Sequence, residues 1–342
     1  MHDDLSRRAK RSGLRYVTTP DLCLTRQKSG RGFRYLDADS RPIRSRRTLD
    51  RMRALAIPPT WTEVCIADDP RAHIQAVGRD SEGRLQYRYH DDWTAVRDTL
   101  KAERLLRFGR ALPRIRARLE KDLSRRDTDR RYAAAAATRL IDRALLRSGH
   151  TVSDEDGGGR GAATLLKRDV QLNGTKVALR FIGKSGKLIE KTIRDPVLLA
   201  RLRKLKRLGK KRLFAFRDER GRCCYLTARD LNAYLREAAG EPVTAKDFRT
   251  FAASAQALAA LCDAQGPFSE SQRRRQIASV MRGAAEQLVN TPAVARSSYV
   301  HPLIVEAFEA EELETALMRG AARSGLSAAE TALMRLLEGS AS

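Results

Sequence analysis

Tyr299 is the residue whose type and setting most invite a chemical role. It stands in the stretch Leu288-Val-Asn-Thr-Pro-Ala-Val-Ala-Arg-Ser-Ser-Tyr299-Val-His-Pro302. Thr291-Pro292 reads as a helix start, a capping hydroxyl followed by a proline at the first helical position. Positions 293–298 are mostly small, so the phenol falls about two turns further on with little bulk around it. A phenol oxygen free to reach outward can attack an electrophilic centre. The plainer reading is an aromatic packing on a short helix, and these residues alone do not choose. Three cations sit at breakpoints elsewhere. Arg147 lies in the last turn of an expected helix, before Ser148-Gly149, where a solvated arginine also complements the helix dipole. Lys184 projects from the tight turn Gly183-Lys-Ser-Gly186. Arg249 falls early in a helix beginning near Val243, where the dipole disfavours a cation, which hints at a role beyond stability.

The charge balance narrows the partner. Lys plus Arg is 67 against 42 for Asp plus Glu, a net +25 over 342 residues. Such an excess points to a polyanion, because basic residues release counterions condensed on nucleic acid. A membrane surface is the competing polyanion, but the sequence shows no long apolar run, signal-peptide pattern or lipidation motif. The five cysteines have no C-x-x-C spacing and the five histidines form no ligand cluster. A structural metal and a disulfide framework are therefore not expected, and the compartment is expected to be reducing.

These groups need elements to position them. The length suits two domains. We expect an α+β chain: a charged, mobile tail over 1–13, a β-rich domain over 14–92, and a mainly helical domain over 93–342 containing a three-stranded antiparallel sheet. Helical spacing runs from Ser45 to Leu55, with Leu49, Met52 and Leu55 on one face. Two alternating runs around Asp80-Ser-Glu-Gly83 make a hairpin. Its second strand puts Leu85, Tyr87 and Tyr89 on one face and Gln86, Arg88 and His90 on the other. That strand is either a core element or one that presents Gln and Tyr to DNA. Residues 132–147 form an alanine-rich helix. Strands are expected over Thr164–Leu172, Lys176–Ile182 and Leu188–Ile193, with Asn173-Gly174 as a hairpin turn. Gly157-Gly-Gly-Arg-Gly161 reads as a flexible turn. Gly183-Lys184-Ser185 is set between strands rather than before a helix, which disfavours a nucleotide-phosphate loop. Further helices are expected from Thr227, from Val243, over 270–288 and over 303–338.

Taken together, five segments resemble type IB DNA topoisomerases of the compact bacterial and poxvirus kind. They are residues 74–90, Leu146-Arg147-Ser-Gly149, Phe181-Ile-Gly-Lys184-Ser-Gly186, Lys246-Asp-Phe-Arg249-Thr250 and Asn290-Thr-Pro-Ala-Val-Ala-Arg-Ser-Ser-Tyr299. The resemblance implies a two-lobed DNA clamp and an ATP-independent enzyme that relaxes supercoils through a 3′-phosphotyrosyl intermediate. It makes Tyr299 the nucleophile, Arg147 and Arg249 the clamp on the scissile phosphate, and Lys184 the general acid. Asn290 takes a position held by His in many relatives. Gln86, Tyr87, Tyr89 and Lys246 are implied to contact DNA. It implies no cofactor and no metal, duplex DNA as partner, and a monomer with no obligatory protein partner, working in the cytoplasm at the nucleoid. Two stretches depart from the family pattern: Gly159-Arg-Gly-Ala-Ala-Thr164 and Thr250-Phe-Ala-Ala-Ser254. The residue types suit the chemistry in their own right. Phosphodiester transesterification needs a nucleophile, donors for the transition-state charge and a proton for the leaving alkoxide. The alternatives are a tyrosine recombinase, which typically carries a helical domain where residues 14–92 read as β, and a non-catalytic DNA-binding protein, which needs none of the five residues.

Overall fold

The computed structural model describes residues 2–149, 159–264, 268–313 and 315–340. It divides into two compact units, Met1–Lys101 and Ala102–Ser342. In the first unit the chain runs α1 (His2–Arg11), β1 (Leu24–Ser29), β2 (Gly32–Leu36), α2 (Arg46–Ala54), β3 (Thr62–Ile66), β4 (Ile74–Arg79) and β5 (Leu85–Tyr89). The strands form one antiparallel sheet in the order β2-β1-β3-β4-β5. Ser45 caps α2 by accepting from Thr48 N, and Met52 on its inner face is fully buried with Leu24, Val64 and Ile66. Asp80 holds the β4–β5 turn by accepting from the amides of Glu82 and Arg84, while Gly83 takes φ +74.

One expectation changes here, and one open choice narrows. Residues 1–13, read as a mobile tail, hold the ten-residue helix α1, whose Ala9 is buried with Leu14 and Trp93. Charge on six of those ten residues hid the small apolar face that docks it. The second strand of the hairpin is an edge strand whose apolar face stays half open: Leu85 is 44% and Tyr87 38% exposed. Only Tyr89 turns into the core, against Trp93 and Tyr16.

The second unit follows α3 (Asp91–Leu123), a helix that begins in the first unit. Its elements are α4 (Arg130–Ala144), β6 (Val170–Asn173), β7 (Lys176–Ile182), β8 (Leu188–Arg194), α5 (Pro196–Lys206), β9 (Ala215–Arg217), β10 (Cys223–Tyr225), α6 (Ala228–Ala239), α7 (Ala245–Cys262), α8 (Glu270–Leu288), α9 (Pro292–Ser298), α10 (Pro302–Glu309) and α11 (Ala328–Gly339). Strands β6, β7 and β8 make an antiparallel three-stranded sheet. Tyr132 through Ile141 of α4 are all buried, so α4 is the hub of this core. Its alanine run lets neighbouring helices approach closely without side-chain entropy to lose. Arg139 of α4 pairs inside with Asp195, which also caps α5 through Leu198 N. The three antiparallel sheets, the β9–β10 pair included, and the mainly helical second unit fit the α+β expectation.

The helix expected over 303–338 is instead two, α10 and α11, separated by a 3-10 turn at Thr315–Met318 and a fresh cap at Ser327. The other differences from the sequence reading are local. Residues 162–164 and 167–169 are short 3-10 turns, so the first strand of the sheet begins only at Val170. Helix α4 stops at Ala144 because Leu145 takes a left-handed conformation, φ +53, leaving Arg147 beyond the helix rather than in its last turn. Of the glycine run, Gly157 and Gly158 lie outside the described residues.

Candidate active site

Helix α7 supplies the centre. Thr244 and Asp247 close a capping box at its start, and Asp247 also takes Arg104 at 2.6 Å. One turn in, Arg249 is 4% exposed. Its guanidinium donates to Leu145 O just past α4 and, at 2.9 Å, to Leu288 O at the end of α8. Among the described residues no carboxylate pairs with it, and its Nε has no partner. A buried cation without a counter-anion is costly. That cost is relieved when an anion enters.

Tyr299 lies over this arginine, with the guanidinium carbon 5.0 Å from the ring centroid. The sequence put the phenol two turns along a short helix, and α9 does begin with Thr291 accepting from Val294 N. The outward reach is not seen: Tyr299 caps the end of α9 and is only 4% exposed. Ser254, one turn beyond Arg249, fixes it there. Its Oγ donates to Tyr299 O at 3.0 Å and accepts from His301 N at 3.1 Å. Burial pushes the phenol's pKa up, but Arg249, Arg147 and Lys246 outweigh it and hold the phenol below its ordinary value. Lys246 itself is exposed.

Arg147 is half-buried and donates to Asn290 Oδ1 at 3.4 Å. Asn290 does not begin the tyrosine-bearing helix, since Thr291 is the cap. It follows the left-handed Val289 that ends α8, and its own N–H returns to Ala285 O at 2.8 Å. The backbone amide is therefore used, and the side-chain Nδ2 is buried and unpaired. Arg147, Arg249, Asn290 and Tyr299 thus form one cluster with two orphaned donors, Arg249 Nε and Asn290 Nδ2.

Lys184 is exposed on the turn joining β7 to β8, next to Ser185 at φ +62. That turn is tied to the arginine segment through the backbone of the divergent glycine stretch. Arg160 N donates to Ile182 O at 2.9 Å, and Ala162 N to Arg147 O at 2.8 Å. A Cβ on Gly159 would sit 2.1 Å from Gly183 O, and one on Gly161 would sit 2.4 Å from Gly149 N. These contacts admit only glycine, so the departure at 159–161 is a close backbone approach. In the first unit, Gln86 donates to Asp80 at 2.8 Å, Tyr87 and Tyr89 stack at 5.9 Å, and Arg97 covers Tyr89.

Comparison with known proteins decides between the readings. Residues 90–319 match the model of the eukaryotic DNA topoisomerase I catalytic core, about two thirds of the chain. Residues 32–80 match the bacterial DNA topoisomerase IB N-terminal domain. The DNA topoisomerase 1B of Acanthamoeba polyphaga mimivirus is 31% identical over 291 residues, covering 83% of this chain and 87% of the viral protein. The chain belongs to the type IB DNA topoisomerase family. The resemblance drawn from the five segments holds, and neither the recombinase nor the non-catalytic alternative is favoured. As a type IB topoisomerase the chain is an isomerase acting on DNA topology. Among the described residues, no helix is long and apolar enough to cross a membrane.

Three residues of this topoisomerase were missed in the sequence. Ser254 lies in the divergent stretch 250–254 of α7, where its type alone does not mark it. Gly161 was read as a flexible turn. Lys191 shares the inward face of β8 with Ile189 and Ile193, and the strand alternation is its only mark in the sequence.

Proposed function

We propose that Tyr299 Oη, its proton lost to solvent, attacks a phosphate of duplex DNA, joins it as a 3′-phosphotyrosyl ester and expels the 5′ oxygen. Lys184, carried on its exposed turn, gives that oxygen a proton, and the free 5′ hydroxyl later reverses the reaction. The ester conserves the bond energy, so supercoils are relaxed between the two steps without ATP. Arg147, Arg249 and Asn290 hold the non-bridging oxygens, supplying donors where the charge of the transition state grows. The observation that carries this assignment is the pair of buried, unpartnered donors beside a buried phenol, in a cluster that no carboxylate among the described residues neutralises. No metal or cofactor is required.

Residues 14–92 dock on the duplex through Gln86, Tyr87 and Tyr89, and residues 93–342 carry the chemistry, with Lys246 on DNA beside the nucleophile. The enzyme works as a monomer without an obligatory protein partner, in the cytoplasm at the nucleoid. The test is plasmid relaxation with chelator and no ATP. Full relaxation, with protein trapped on the 3′ end by denaturant, is expected. A requirement for ATP or a divalent cation would overturn the proposal.

A further inference from the structure

Two cations bind the ends of α4 and α8 in parallel. Arg249 joins Leu145 O to Leu288 O. One residue earlier on both helices, Lys191 Nζ joins Ala144 O to Gln287 O, at 2.6 Å each. Both helices then stop in the same way, with a left-handed residue: Leu145 at φ +53 and Val289 at φ +50. Arg147 and Asn290 follow within three residues, and they meet at 3.4 Å.

We infer that Lys191 is a positioning residue: with Arg249 it staples the ends of α4 and α8 and so sets Arg147 against Asn290. This rests on the roles proposed for Arg147 and Asn290. Lysine suits the place because an ammonium offers three donors on a flexible stem, and helix C-terminal carbonyls carry partial negative charge. Burial, and then the charge of Arg249, pull its amine down to about 8. The neutral amine keeps two N–H groups, enough for two carbonyls, so the link survives deprotonation. Arg249 alone cannot replace it. A single rung lets the two helix ends pivot, and two rungs fix their relative angle as well as their distance.

The test uses Lys191→Met, which keeps the stem and removes every donor. DNA affinity should stay within about twofold, while single-turnover cleavage at saturating enzyme falls about 10- to 100-fold, the scale of a misplaced catalytic group. In an Asn290→Ala background the same change should cost less than about threefold, because groups that act as a unit are not additive. A merely structural lysine would give losses that multiply. Parental cleavage by Lys191→Met, or multiplying losses, overturns the inference. If Lys191→Met does not fold, Lys191→Arg, which retains the donors, must cleave within about threefold of the parent, and a larger loss overturns the inference. The Asn290→Ala and Arg147→Ala single variants separate the two levels. Parental rates there refute the roles of those residues, whereas impaired rates there with a parental Lys191→Met refute only the staple.

Discussion

Replacing Asn290 with alanine tests whether the site was built for an anion. In the structure Oδ1 receives Arg147 at 3.4 Å and Nδ2 has nothing to bond. Deleting the amide removes a donor directed at no protein group, so folding should lose little. Thr291, not Asn290, caps α9, so the cap penalty of about 1 kcal/mol does not apply. The transition state should lose much more. One pre-positioned donor to a developing oxyanion is worth about 2.7–4 kcal/mol, or 10²–10³ in rate, where water is excluded. Arg147 also loses its orienting acceptor, which adds to the loss. Asn290→His should retain much of the activity, because an imidazole N–H can donate to the same oxygen. The assay is single-turnover cleavage of a duplex at saturating enzyme, with thermal melting alongside. Asn290→Ala cleaving near the parental rate would refute the reasoning, whatever its melting temperature.

Lys184→Ala should slow cleavage about 10²–10⁴-fold and be largely rescued by sulfur at the 5′ bridging position, a leaving group that needs no proton. An equal defect on both substrates would make Lys184 a phosphate contact only. Cleavage should rise with pH and level off below about 10, the ordinary phenol value, because the cations around Tyr299 hold its phenol down. Lys246→Ala removes one of those charges, so the rising limb should move to higher pH in a pH–rate profile. Gly161→Ala forces a Cβ to within 2.4 Å of Gly149 N and 2.7 Å of Arg147 O. It should cost about 1–3 kcal/mol in a denaturant titration and lower cleavage by shifting Arg147.

Most of the candidate site is legible in the sequence because each of its residues lies at a local break that leaves a mark. Thr291-Pro292 marks the start of α9, Gly183 and Gly186 bracket Lys184, and Ser148-Gly149 follows Arg147. The β7–β8 hairpin was legible from alternation and its glycine-bearing turn, and the range of α8 from its helical pattern. What the sequence hid depends on contacts between distant segments. The burial of Tyr299 is set by Ser254, 45 residues away. The rigidity of the glycine stretch comes from the backbone of Gly183 and Gly149. The mobile-tail reading failed because six charges outweighed the few apolar residues that dock α1. Lys191 looked like an ordinary strand lysine until its two carbonyl partners came from opposite sides of the cluster.

The central claim is that the Tyr299 oxygen forms the covalent bond to DNA. Tyr299→Phe removes that one oxygen and leaves Arg249, Ser254 and the core contacts in place. Incubation with end-labelled duplex, followed by denaturant, should give parental DNA binding and no protein–DNA adduct. Adduct trapped with the Phe variant would place the nucleophile elsewhere and contradict the account.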